Sequence, residues 1–290
     1  MWCWLKESRD AQDGGRERSR QLAGDWPVSG PVGVMALIAV ETAVGAYAIT
    51  WLTGIWGHAR RGFFLLIGIT VSLLAWAGWA ATRAGVAAGP ADPGAVASLA
   101  PALLLAFAGL VTAWTAALAF RATGLARVLG LPVAVLGVAA LGPLAMTRGD
   151  AGGLAVAEVA LGAVFLGSAL YGLVLGHWYL FERRLDKAHM VRGAQWYAAG
   201  CVAAAGSAAL SATNPAPAPG GFSPFLAVPG FSLYLAVGLV AVCALIAGFT
   251  WKLATEGGRS IQAGTGLFYL AVIMAFSAEV SAKVRFFGVT

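Results

Sequence analysis

Three glutamates stand inside otherwise apolar stretches of this chain: Glu41, Glu158 and Glu279. An ionisable group deep in a bilayer costs at least about 2.5 kcal/mol, so a carboxyl kept there faces the protein interior and serves as a step on a proton or ion path. The ordinary alternative is a protonated glutamate hydrogen-bonded to a carbonyl or hydroxyl of the next helix. Glu279 has a local explanation, because Lys283 follows one helical turn later and can pair with it. Glu41 is the most deeply placed and has no partner nearby in the sequence.

A second chemistry is suggested by the stretch from Tyr171 to Phe181, in which His177 is followed by Trp178 and Tyr179, with Arg183 and Arg184 just beyond. A histidine between aromatic rings at a helix end can hydrogen-bond a quinone carbonyl while the rings enclose the quinone. The ordinary alternative is the interfacial belt, where Trp and Tyr anchor any membrane helix. His58 follows Gly57 as His177 follows Gly176, so the two histidines could ligate one haem b, with Arg60, Arg61, Arg183 and Arg184 beside its propionates. His189, in a charged loop, reads as solvated.

The elements that must position these residues are set by composition. Of 290 residues, 59% are hydrophobic and only 11% charged, and the mean hydropathy is +0.78, so water is not the main solvent. A spanning helix needs about 20 mainly apolar residues. Apolar runs near 31–57, 62–82, 95–120, 126–146, 153–181, 194–212, 229–251 and 262–284 predict an all-α polytopic membrane protein with about eight transmembrane helices. Strands are excluded for these runs, which lack the alternation of a membrane barrel. Residues 1–30 form a polar N-terminal tail with five basic and five acidic residues, without the apolar core of a signal peptide.

The chain also resembles itself. Glu41-Thr42-Ala43-Val44-Gly45-Ala46 matches Glu158-Val159-Ala160-Leu161-Gly162-Ala163, an ExAxGA pattern in each, and a Gly-His pair follows both. The stretches 61–82 and 192–213 then align without a gap, sharing Arg, Gly, Val, two Ala and Thr. The shared order predicts a parallel four-plus-four duplication, 31–146 and 153–290, related by an axis along the membrane normal.

Loop charge gives the sidedness. Arg60, Arg61, Arg121, Arg127, Arg183, Arg184, Lys187, Arg192, Lys252 and Arg259 gather on one side, against Arg83 and Arg148 on the other. The basic side is expected in the cytoplasm of a bacterial-type inner membrane, which puts both termini outside. The basic tail and Lys283 with Arg285 argue the other way.

Cys3, Cys201 and Cys243 form no CxxC pair and read as packing residues. The net charge of +6 is met by topology and needs no nucleic acid. Walker A, HExxH, GxSxG, S4-like and TVGYG patterns are missing, which leaves ATPase, hydrolase and ion-channel readings without support.

In helix number and duplication the chain resembles membrane subunits of redox complexes built from two four-helix bundles, such as that of polysulfide reductase, or haem A synthase. No motif of either is matched residue by residue, and the four-histidine pattern of haem A synthase is absent, so no site is carried over. The expectation is a non-catalytic membrane subunit of a respiratory or photosynthetic electron-transfer complex, contacting lipid, quinone, haem or pigment and anchoring partner subunits. The alternatives are a small proton-coupled secondary transporter using Glu41 and Glu158, and a purely structural subunit. Few central Gly or Pro breaks apart from Pro132 and Pro143 weigh against the transporter.

Overall fold

The computed structural model describes residues 30–88, 95–147, 152–182, 184–214 and 230–286. Residues 1–29 of the polar tail, Arg148, Arg183 and the uncharged stretch 215–229 lie outside the described residues. Eight helices are described: α1 Gly30–Leu52, α2 Arg61–Ala88, α3 Ala100–Ala119, α4 Thr123–Met146, α5 Gly153–Phe181, α6 Lys187–Ser211, α7 Phe231–Glu256 and α8 Ser260–Lys283. Seven of them are long and apolar enough to cross a membrane; α6 is the one that is not.

These segments are helical because apolar residues surround them on every side, which only a low-dielectric solvent tolerates. Large apolar side chains stand exposed on the outer faces, among them Leu73, Val128, Leu131, Val202, Leu245 and Ile273. Such a surface suits lipid tails. Pro132 and Pro143 both lie inside α4, which remains one helix.

Two helices are central. Over their most apolar windows α1 and α5 are each 78% buried, whereas the other five candidate spans reach only 28–44%. The pairing explains this: α1 packs on α2, α4 and α5, while α5 packs on α6, α8 and α1, and the remaining neighbours run α2 to α3 to α4 and α6 to α7 to α8. The result is two rings of four helices sharing the α1/α5 seam. At that seam Gly45 lies so close to α5 that a Cβ there would overlap the carbonyl of Ala163, and one at Gly167 would overlap the backbone of Gly45. Small residues let backbones approach this closely, and dispersion between them replaces the hydrophobic drive that lipid cannot supply.

Each ring is plugged by aromatic side chains. Trp114, fully buried, meets Tyr47 edge-on at 5.1 Å in the first ring, and Tyr197 lies 5.5 Å from Phe268 in the second. Cys201 and Cys243 are free and buried in the second ring, as packing residues should be.

Basic side chains close one end of the bundle by capping helix C-termini, where unpaired carbonyls and the helix dipole favour a cation. Arg61 donates to Leu118 and Ala119 at the end of α3 (3.2 and 3.3 Å), Lys187 to Thr255 at the end of α7 (3.0 Å), and Arg192 to Thr53 just after α1. The starts of α2 and α6 therefore lie with the ends of α1, α3 and α7. At the opposite end, Arg285 beyond α8 donates to Ser211 at the end of α6 (3.2 Å), so α6 runs from one end of the bundle to the other.

Candidate functional site

The three intramembrane glutamates converge. Lys283 Nζ lies 3.3 Å from Glu41 Oε1, 3.4 Å from Glu158 Oε1 and 3.2 Å from Glu279 Oε1, and none of the four side chains is more than 3% exposed. The pairing of Glu279 with Lys283 read from their spacing is present, but Lys283 also holds two carboxylates from α1 and α5. Glu41 does have a partner, brought to it by the last helix.

Local sequence explains why the groups can meet. A Cβ at Gly162 would come within 2.7 Å of Glu279 Oε1 and 2.8 Å of Glu41 Cδ, so the glycine of the second ExAxGA pattern makes room for two carboxylates. Glu279 and Lys283 stand one turn apart on α8, which aims both at the seam. Glu158 reaches in from the second turn of α5.

Around this core the polar partners are unequal. Glu158 receives Asn214 Nδ2 at 3.0 Å, and Glu279 receives Ser207 Oγ at 3.2 Å. Lys283 Nζ also donates to the Glu158 carbonyl at 3.2 Å. Neither oxygen of Glu41 has a hydrogen-bond donor among the described residues beyond its ion pair with Lys283. Toward the nearer end of the bundle, Arg285 donates to the Asn214 carbonyl at 2.7 Å, so its guanidinium stands one amide away from Glu158. In the other direction the packed backbones of Gly45, Ala163 and Gly167 close the seam.

The other sequence candidates lie at the basic end and are dispersed. His177 is half-buried and hydrogen-bonds through Nδ1 to the Tyr269 hydroxyl at 3.2 Å, with Phe181 edge-on at 5.4 Å. Trp178 donates Nε1 to Glu182 at 2.8 Å and lays its ring against Gly62 of α2. Tyr179 is buried; its hydroxyl donates to the Asp186 carbonyl and accepts the Met190 amide, tying the α5–α6 loop to both helices. Arg184 is exposed. His58 lies beside His189, with ring centroids 5.0 Å apart.

His189 is not solvated as its loop sequence suggested. It is only 7% exposed, and in the first turn of α6, ahead of the apolar stretch 194–212, it is held below the usual imidazole range by burial, then by His58 and Arg192, with Asp186 opposing. Among the described residues no group of three or more histidine, cysteine or carboxylate side chains could hold a metal ion.

Sequence reasoning missed Lys283 as the hub, together with Asn214, Ser207, Arg285 and Gly162. A signal for Lys283 was present: a lysine closing an apolar span that already carries a glutamate. For Asn214 and Ser207 nothing in the sequence distinguishes them from other small polar residues.

No protein-family model, curated protein or solved structure matches this chain.

Proposed function

We propose that this chain is a proton-coupled membrane transporter in which Glu41 is the carboxyl that exchanges the proton. One observation carries the reading: three buried carboxylates share one buried ammonium. With all three ionised the cluster would hold a net charge of −2, or −1 if the nearby Arg285 is counted, in surroundings where an isolated carboxylate costs tens of kcal/mol by simple solvation arguments, and so neutralises instead. At least one carboxyl therefore keeps a proton. Glu158 and Glu279 each receive a neutral donor, from Asn214 and Ser207, and Glu41 receives none, so Glu41 is the acid whose only partner is the shared ammonium.

The seam supports transport over an open pore. Polar groups lead from the cluster toward Asn214 and Arg285, while the Gly45/Gly167 crossing blocks the way to the basic end, so a proton leaving there needs the two rings to part. The reading includes the duplication: Glu41 and Glu158 occupy equivalent motif positions and meet the same ammonium where equivalent helices cross. It also counts α6 as an eighth crossing and puts the basic end in the cytoplasm. Burial of Lys283 and Arg285 inside the bundle supports that orientation, because neither then counts as a loop charge.

The test reads the proton itself. Infrared difference spectra of the purified protein between alkaline and acidic buffer should contain the C=O stretch of a dry, protonated carboxyl. Glu41→Gln should remove it, and Glu158→Gln should keep it. A band that survives Glu41→Gln, or none at all, overturns the assignment.

A second reading, a membrane subunit of an electron-transfer complex, is favoured by His177 with Tyr269 at the lipid-facing rim of α5 and α8, where a quinone could dock. It predicts extractable quinone, or a Soret band if haem is held, lost in His177→Ala. A cofactor-free preparation with the carboxyl band intact decides for the first reading.

A further inference from the structure

At the basic end, the α5–α6 and α7–α8 loops enclose a cavity of about 360 Å³ lined by Tyr179, Leu185, Lys187, Gly258, Arg259, Ile261 and Gln262. We propose that this cavity binds a phosphate-bearing anion. It shares no residue with the carboxylate cluster, so the inference stands apart from the proton reading.

The walls are built for an anion. Gly257 adopts φ +77°, a conformation favouring glycine, and the Lys187 stem packs so closely there that an added Cβ would come within 3.1 Å of its Cδ. One donor of the Lys187 ammonium is fixed on the Thr255 carbonyl at 3.0 Å, which leaves the other two for a ligand. Arg259 forms no ion pair among the described residues and stands at the start of α8, where the helix dipole also favours an anion. Gln262, exposed one turn in, adds a neutral donor.

The nearby carboxylates are already engaged. Asp186 accepts the Ala188 amide at 2.9 Å as the cap of α6, and Glu256 accepts the Ser260 hydroxyl at 2.9 Å. Leu185 and Ile261 supply an apolar side, and the cavity lies beside the ends of the apolar helices α5 and α7. A cavity of this size takes a headgroup-sized ligand, and the phosphate could belong to an anionic lipid or be free in solution.

The experiment uses the whole protein in detergent, with phosphatidylglycerol, phosphatidylcholine and inorganic phosphate each added alone, read by native mass spectrometry and by the thermal midpoint. Phosphatidylglycerol should bind at least fivefold more tightly than phosphatidylcholine. Arg259→Gln, an exposed change that spares the fold, should weaken phosphatidylglycerol by about fivefold, and Lys187→Gln with Arg259→Gln by more. Stabilisation by inorganic phosphate that vanishes in Arg259→Gln would identify a free anion as the ligand. Equal binding of the two lipids, or binding of phosphatidylglycerol and phosphate unchanged in both variants, overturns the proposal.

Discussion

The two ends of this bundle handle charge in opposite ways. At the basic end, arginines and lysines point at helix C-terminal carbonyls or into solvent, and the one ion pair described there, Arg60 with Glu182 at 2.8 Å, leaves the arginine 80% exposed. At the other end, Lys283 and three carboxyl groups face one another, the Glu158 carbonyl, the Phe286 ring and a few neutral donors, and none of the four side chains is more than 3% exposed. The basic residues can each be lost almost independently. Those of the cluster are bound to a common charge balance, so removing one changes what the others can be.

The sharpest way to break this contrast is Lys283→Met, which strands three dry carboxylates. It should destabilise the protein by about 3–5 kcal/mol, read as a fall in the denaturation midpoint in detergent. Replacing Glu158 and Glu279 by Gln in the same chain should recover most of the loss. A single variant as stable as the parent would mean that the ammonium is dispensable and the cluster only a coincidence of packing.

Gly162→Ala comes next, since its methyl would intrude between Glu41 and Glu279. Overpacking of this kind should cost about 1–3 kcal/mol and also disturb the carboxyl infrared band, whereas Gly124→Ala, which has open space around it, should do neither.

Arg60→Ala probes the opposite end. Because the pair with Glu182 is solvated on the arginine side, the loss should stay below about 0.5 kcal/mol and shrink further in high salt. A loss as large as that of Lys283→Met would erase the distinction between the two ends.

The smallest expected effect sharpens the comparison by pH. His189, held below the ordinary imidazole value of 6.5 mainly by burial, resists protonation more in the folded than in the unfolded chain. Above that value it is neutral in both states and contributes nothing; as pH falls through it, the unfolded chain takes the proton first and stability is lost. A thermal-midpoint series should show a modest acid-side decline, reduced in His189→Gln.

Much of this architecture could be read from composition and punctuation, because apolar runs long enough to span lipid leave the backbone few choices. The run 194–212 shows where hydropathy alone falls short: α6 carries Lys187, His189, Arg192 and Gln195 in its first turns and many alanines after them, and its place depends on packing against α5 and α7. The glutamates were legible as costly residues, and their common partner was not. Lys283 is one helical turn from Glu279, yet its meeting with Glu41 and Glu158 depends on which helices are central, which no local pattern encodes. His189 shows the reverse, a residue in charged sequence that tertiary packing dries out.

The cluster has a consequence for how the chain is made. Glu41 belongs to the first helix and Glu158 to the fifth, whereas Lys283, 125 residues after Glu158, closes the last. In order of synthesis, both acids reach the membrane before the ammonium that will hold them. Until then neither acid has its cation, so the ion-pair core of the seam is completed only when the final helix docks against α1 and α5. Chains cut short before Lys283 should carry two unpaired acids into the bilayer, and their first and fifth helices should meet without the ammonium that joins them.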